Sequence, residues 1–311
     1  MAFNLKEYLK KGRPTLSDIS INTYVQSINR IRKKLDLDSS LTNISFLSKF
    51  DDVVKVLEDY APTTRKNMLN AIIVAMKCDG ADKSTCKKYG ELRDNYNADY
   101  ENEQSTGKKS KKQEENWVEW PKFKKMVMHF TKEIRRARIR QRADLTLDER
   151  RLFGDYVLMR LYQDYPIRND YHDVSVVGSK AKMNDDTNYL VKTKNKMALH
   201  LNQYKTKKAY CKKVIELNMP LVALLRDYLK INTTGWLIIN EKSGEPLNSV
   251  GITRRLNRIT RDRIGKKIGS NMIRHIYLSN KYAEDVEEMK KDSESMGHSV
   301  DTQKKYIKGD A

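Results

Sequence analysis

Through most of this chain the apolar residues recur every three or four positions, but between residues 188 and 217 the period drops to two. A period of 3.6 gathers side chains on one face of a helix, and a period of two gathers them on one face of a strand. The expected fold is therefore mainly α with one small antiparallel β-sheet, an α+β arrangement. Ile21, Tyr24, Val25, Ile28, Ile31 and Leu35 share one helical face after a cap at Ser17 or Asp18. A second helix is expected over 46–60 with Phe50, Val53, Val54 and Leu57 inward. Pro62 opens a third, with Leu69, Ile72, Ile73 and Met76 on its face, and a weaker fourth covers 82–100.

Residues 102–116 (NEQSTGKKSKKQEEN) are polar and charged, a linker composition. They divide an all-α domain, 1–101, from a second domain, 117–311. In the second domain helices are expected at 121–141, 147–164, 220–231, 249–264, 271–283 and 284–296. The alternation of Met197, Leu199 and Leu201, repeated by Ile215 and Leu217, places the sheet between them, with 205–210 near a hairpin turn.

Lys and Arg total 61 against 41 Asp and Glu, a net charge of +20. Such a chain attracts polyanions, and nucleic acid is the first candidate because neutralising phosphates releases condensed counterions. An anionic membrane surface is the alternative. No apolar run approaches the roughly 20 residues of a membrane span, and residues 1–14 lack the apolar centre of a signal peptide. An intracellular protein without membrane partners is expected, in the nucleus or cytoplasm of a host or in a nucleoid. Cys78, Cys86 and Cys211 form no CxxC pair, and the five histidines show no ligand spacing. No metal and no cofactor is expected.

The C-terminal third reads Asn271-Met-Ile-Arg274-His275, then Met296-Gly-His298-Ser299, then Tyr306. Upstream lie Pro166-Ile-Arg168 and Tyr204-Lys205-Thr206-Lys207-Lys208. Each piece alone is commonplace; the ordered set is not. Attack on a DNA phosphodiester puts extra negative charge on the nonbridging oxygens, which two arginines can clamp through planar forks. A tyrosine hydroxyl, with a pKa of about 10, attacks only where its phenolate is stabilised. The leaving 5′ oxygen needs a proton, which a lysine can donate, and a histidine completes the phosphate contacts or shuttles protons.

On these motifs the chain resembles the tyrosine recombinase (phage integrase) family, most strongly over 150–306. The stretch TLSDISINTYVQSINRI is similar to that family's helical core-binding domain. The resemblance implies a site-specific recombinase or integrase that cuts and rejoins DNA through a 3′-phosphotyrosyl intermediate. Arg168 and Arg274 would be the catalytic arginines, Lys205 the hairpin lysine, His298 the late histidine and Tyr306 the nucleophile. It further implies a clamp around double-stranded DNA and a homo-tetramer on paired sites, a dimer per site, serving a virus, a mobile element or chromosome resolution.

The sequence departs from the family at several points. Asn271 stands where the family usually has His or Lys; it can bond a phosphate oxygen but cannot shuttle a proton. Tyr171, between Asp170 and Asp173, occupies a position that is often acidic. Lys207 and Lys208 stand beside Lys205 as candidate acids. Two other readings remain: a type IB DNA topoisomerase, and a DNA-binding relative that has lost catalysis. Around the site, Arg135, Arg136, Arg138 and Arg140 form a basic run. Arg254, Arg255 and Arg258 lie at helical spacing near the proposed site. With Lys207, Lys208 and His275 these are the candidate DNA contacts, the alternative being solvated helix faces.

Overall fold

The computed structural model describes residues 3–37, 41–80, 82–180 and 183–307. They form two compact units, Met1–Lys108 and Lys109–Ala311.

The first unit is all helical: α1 (Leu5–Gly12), α2 (Asp18–Lys34), α3 (Phe50–Glu58), α4 (Pro62–Asp79) and α5 (Lys83–Ser105). Ser17 caps α2 by accepting from the Ser20 amide at 3.2 Å, and Pro62 opens α4 where its missing N–H costs nothing. The expected helix 46–60 is broken. A 3-10 turn at Ser45–Ser48 buries Phe46 and Leu47, and Lys49 leaves helical geometry before α3 begins. Ile21, Ile28, Ile31, Leu57, Leu69 and Ile72 meet in a dry core. Buried Tyr89 of α5 anchors the 3-10 turn by donating to the Leu47 carbonyl at 2.8 Å. The stretch of linker composition holds the end of α5 and a short helix, α6 (Lys111–Asn116), started by a capping box between Ser110 and Gln113.

The second unit continues with α7 (Trp120–Arg136) and α8 (Leu147–Asp164). The sheet follows as β1 (Val174–Val177), β2 (Asn188–Lys192), β3 (Met197–Leu201) and β4 (Lys213–Glu216), with the single turn α9 (Lys207–Tyr210) between β3 and β4. Then come α10 (Met219–Ile231), α11 (Ser249–Ile264), α12 (Ser270–Ser295) and α13 (Val300–Tyr306). The helices at 147–164 and 249–264 fall where periodicity places them. The sheet differs from expectation. It is mixed, in the order β1-β2-β3-β4, with β1 parallel to β2 and the other pairs antiparallel. Strand β1 is too short to show a period. Its pairing is completed on the far side by the Val176 amide on the Gly235 carbonyl and the Leu237 amide on the Val174 carbonyl. The two helices expected over 271–296 are a single helix, because neither Gly nor Pro occurs between Ser270 and Ser295.

Helix α8 runs through the centre of the core, buried from Phe153 to Met159 and again at Leu161 and Tyr162. Its one buried acid, Asp155, meets Arg255 of α11. Arg255 Nε donates to Asp155 Oδ1 at 2.6 Å, and its two other nitrogens reach Glu241 Oε1 at 2.6 Å and the Ile239 carbonyl at 2.8 Å. Arg258 adds bonds of 2.7 and 2.8 Å to the same carboxylate. Gly154 makes this approach possible. A Cβ there would lie 2.1 Å from Glu241 Oε1 and 2.5 Å from an Arg255 nitrogen. Both atoms are held by the ion-pair network, so neither can yield. Gly154→Ala is expected to destabilise the protein by about 1–3 kcal/mol, as overpacking does, measured as a lower midpoint in urea with unchanged slope.

Candidate nucleic-acid interface

Pro166 ends α8, and the chain turns sharply through Ile167–Asp173 before β1. Two tyrosines fix this turn. Tyr171 is fully buried and donates to the Leu161 and Tyr165 carbonyls at 3.2 and 2.7 Å. Tyr162 packs edge-on against it, with ring centroids 5.0 Å apart, and holds the Arg168 carbonyl and Asn169 Oδ1, each at 3.2 Å. Asn169 Nδ2 crosses to the start of α11, donating to Thr253 Oγ1 at 2.7 Å and the Ser249 carbonyl at 2.9 Å. The Arg168 turn is thereby tied to α8 and to the start of α11.

Arg168 and Arg274 both act electrostatically on Asp170. Burial pushes its carboxyl above the usual range, while the positive charges of His172, Arg168, Arg274 and Lys213 pull the other way. Arg274 Nη1 is 3.5 Å from Asn271 Oδ1, and Asn271 Nδ2 is 3.4 Å from His275 Nε2, loose contacts that leave the guanidinium available. Gly269 precedes α12 and offers no capping side chain, so the first-turn amides face outward beside the arginines. Guanidinium groups and a helix start without a side-chain cap are both groups that attract anions.

Lys213, the first residue of β4, is a lysine whose charge acts on Asp170. Lys213 Nζ lies 4.9 Å from the centre of the Tyr210 ring and 5.3 Å from that of Tyr204. Tyr204 in turn bonds the Cys211 carbonyl, which closes the connection around α9. Lys205 and Lys208 are exposed and Lys207 is half-buried on that connection. Sequence reasoning passed over Lys213, Asp170 and His172. A lysine opening a strand directly after a Lys-rich turn was the available signal for the first. His172 Nδ1 sits 2.7 Å from Asp173 Oδ2.

His298 and Tyr306 form a second, separate cluster. Their ring centroids are 5.6 Å apart, and the Tyr306 side chain is 70% exposed. Gly297, with φ +69, turns the chain from α12 into α13, and Ser299 caps α13. Gln303 of α13 bonds Ser293, which lies 19 residues beyond Arg274, or about 28 Å along the axis of a helix. Tyr306, one turn past Gln303, is thus on the order of 20 Å from the arginines. The single constellation expected from the sequence is two clusters in this conformation.

Among the candidate DNA contacts, Arg255 is corrected. It is 7% exposed and spends its nitrogens on Asp155, Glu241 and backbone carbonyls, so it cannot meet a phosphate. Arg258 is half-exposed, yet it is held by Asp155. Arg254, Arg135, Arg136, Arg138 and Arg140 are exposed. Among the described residues no group of three His, Cys, Asp or Glu could hold a metal ion, and no helix is long and apolar enough to cross a membrane.

No protein-family profile matches the chain, and no curated protein matches its sequence. Solved structures are similar to it at low identity. One of them is the XerH site-specific recombinase bound to palindromic difH substrate in a post-cleavage complex. It shows 15% identity and a TM-score of 0.47, over 96% of this chain and 78% of that one. Another is the XerA recombinase, with 11% identity and a TM-score of 0.35, over 99% of this chain and 95% of that one.

The raised Asp170 carboxyl has a consequence for stability. A folded-state value above the unfolded one means that the folded chain holds the proton more tightly, so this group favours folding at low pH. Its contribution is lost as pH rises from the ordinary carboxylate range, about pH 4, through the raised value. Asp170→Asn is expected to melt higher than the parent at neutral pH, with the difference closing as pH falls toward about 4. Melting curves at the two pH values check it; a variant that melts lower at neutral pH contradicts it.

Proposed function

We propose that this chain breaks and rejoins DNA strands by way of a covalent tyrosyl phosphate, as a site-specific tyrosine recombinase. The observation that carries the reading is that Arg168, Arg274 and Lys213 all act on Asp170, with Arg274 near the uncapped start of α12. This arrangement suits one phosphodiester. The guanidinium groups and helix amides neutralise the nonbridging oxygens as charge builds on them. Tyr306 supplies the attacking oxygen, so that a bond from phosphorus to the phenolic oxygen forms while the bond to the 5′ oxygen breaks. The phenolic proton passes to a neighbouring base, a role for His298 that its ring, 5.6 Å from that of Tyr306, supports. The 5′ oxygen takes a proton from a lysine, and Lys213 joins Lys205, Lys207 and Lys208 as a candidate donor. The covalent link conserves the bond energy, so the strand is resealed by the reverse steps.

Tyr306 must travel to reach that phosphate. Helix α12 has no Gly or Pro at which to bend, and Tyr306 is exposed. These features favour delivery of the tyrosine to the arginines of a second copy of the chain, in an assembly of several copies on double-stranded DNA. A second reading, a DNA-binding relative without strand cleavage, is favoured by Asn271, which offers no proton where an acid–base group is useful.

Covalent trapping on a nicked suicide duplex separates the two. The parent chain is expected to form a protein–DNA adduct. Tyr306→Phe should form none while still binding DNA, and Arg274→Ala should slow adduct formation by about 10²–10³-fold. Absence of any adduct from the parent chain, with DNA binding intact, selects the second reading.

Mixing Tyr306→Phe with Arg274→Ala tests the delivery of the nucleophile. Recovery of adduct, carried on the Arg274→Ala chain, is expected if one copy serves another. A mixture as inactive as its components would mean that each chain uses its own tyrosine.

A further inference from the structure

The geometry points to a second oxyanion site, built from Arg135, Arg138 and Arg140 at the end of α7, that takes one phosphate group away from the Arg168–Arg274 pair. The sequence reads 135–142 as a basic stripe, but the fold does not spread these side chains evenly. Arg142 is neutralised by Glu149 through two bonds of 2.9 Å. Arg136 takes no part in the lining. The other three converge on one cavity of about 190 Å³, floored by buried Ile134 and closed by Thr131 and Gln141.

Charge at this cavity is compensated only in part. Arg140 has an acidic neighbour, Asp227, at 3.6 Å, which is shared with Lys230. Arg135 and Arg138 have no acidic partner among the described residues. Three guanidinium groups facing one space repel each other. The carbonyl end of α7 offsets part of that repulsion at Arg135, and an anion in the cavity would offset the rest.

The backbone supports the same conclusion. Arg138 has φ 50 and ψ 32, the left-handed conformation, which a side-chain-bearing residue rarely adopts. Glycine would occupy it without cost. The turn it makes ends α7 and starts the 3-10 segment Ile139–Gln141, so that Arg135, Arg138 and Arg140 border the same cavity. A strained arginine at a turn that glycine fits better is accounted for by the guanidinium it presents. The phosphate could belong to a DNA backbone or to a free phosphate ester; the recognising chemistry is shared.

The test uses the full chain carrying Arg274→Ala, so that the pocket proposed for the reacting phosphate does not contribute. Melting is followed in inorganic phosphate and in chloride at matched ionic strength. Phosphate is expected to raise the melting temperature by about 2–4 °C at concentrations well above its dissociation constant. Adding Arg138→Gly should abolish that rise while leaving the melt in chloride as high or higher, because the strain is relieved. Arg138→Asn, which also tolerates this backbone, should behave alike. The inference is overturned if phosphate gives no rise, or if the rise survives both substitutions.

Duplex DNA then identifies the source. A backbone phosphate at the site predicts that Arg138→Gly lowers the slope of log affinity against log salt by about 0.9. An unchanged slope, with phosphate binding retained by the parent, assigns the site to a free phosphate ester. These readouts need no strand cleavage, so they stand or fall separately from the recombinase reading.

Discussion

The bond between Arg255 and Asp155, 2.6 Å long and out of solvent, is the tie on which the placement of Arg168 depends. It joins α11 to α8, and both helices hold the turn that carries Arg168: α8 through Tyr162, α11 through Ser249 and Thr253. Buried ion pairs contribute little net stability, since desolvation offsets most of their attraction. Breaking one by removing a partner costs about 3–5 kcal/mol, because a naked charge is left behind. The effect is selectivity of register. Any slide of α11 along α8 would strand Arg255, Asp155 and Glu241 together, so one helix alignment is favoured and the Arg168 turn inherits it.

That alignment sorts arginines by function. Buried Arg255 and half-exposed Arg258 face carboxylates that match them. Arg168 and Arg274, both half-buried, act on Asp170, whose carboxyl burial pushes above the usual range. The interior is compensated and the surface site is short of negative charge. A polyanion is the natural complement of such a surface.

The sequence showed much of this and concealed the rest for physical reasons. Helices α8 and α11 were legible because long amphipathic or buried runs carry a strong period, and the start of α2 was legible because Ser17 caps it. Strand β1 was not, since four residues show no period and its partners lie at 188–191 and 235–237. Spacing placed Arg254, Arg255 and Arg258 on one helix, but it could not say that Arg255 points inward. That depends on Asp155 and Glu241, which only folding brings near. The motif order also led us to expect Tyr306 beside Arg168 and Arg274; the distance between them follows from α12 running unbroken where two helices were expected.

That distance is set by the length of α12. Ile273 and Ile276 anchor its first turns in the core, but Leu278, Tyr282 and Val286 form a partly exposed stripe. A helix that buries no face keeps its shape only by local propensity and neighbouring charge pairs, and such segments open at far lower cost than a packed core. The stripe lies between the anchored arginine and the His298–Tyr306 cluster. The start of α12 is therefore fixed by the core, while the His298–Tyr306 cluster stands at the far end of a long helix that packs less of its surface.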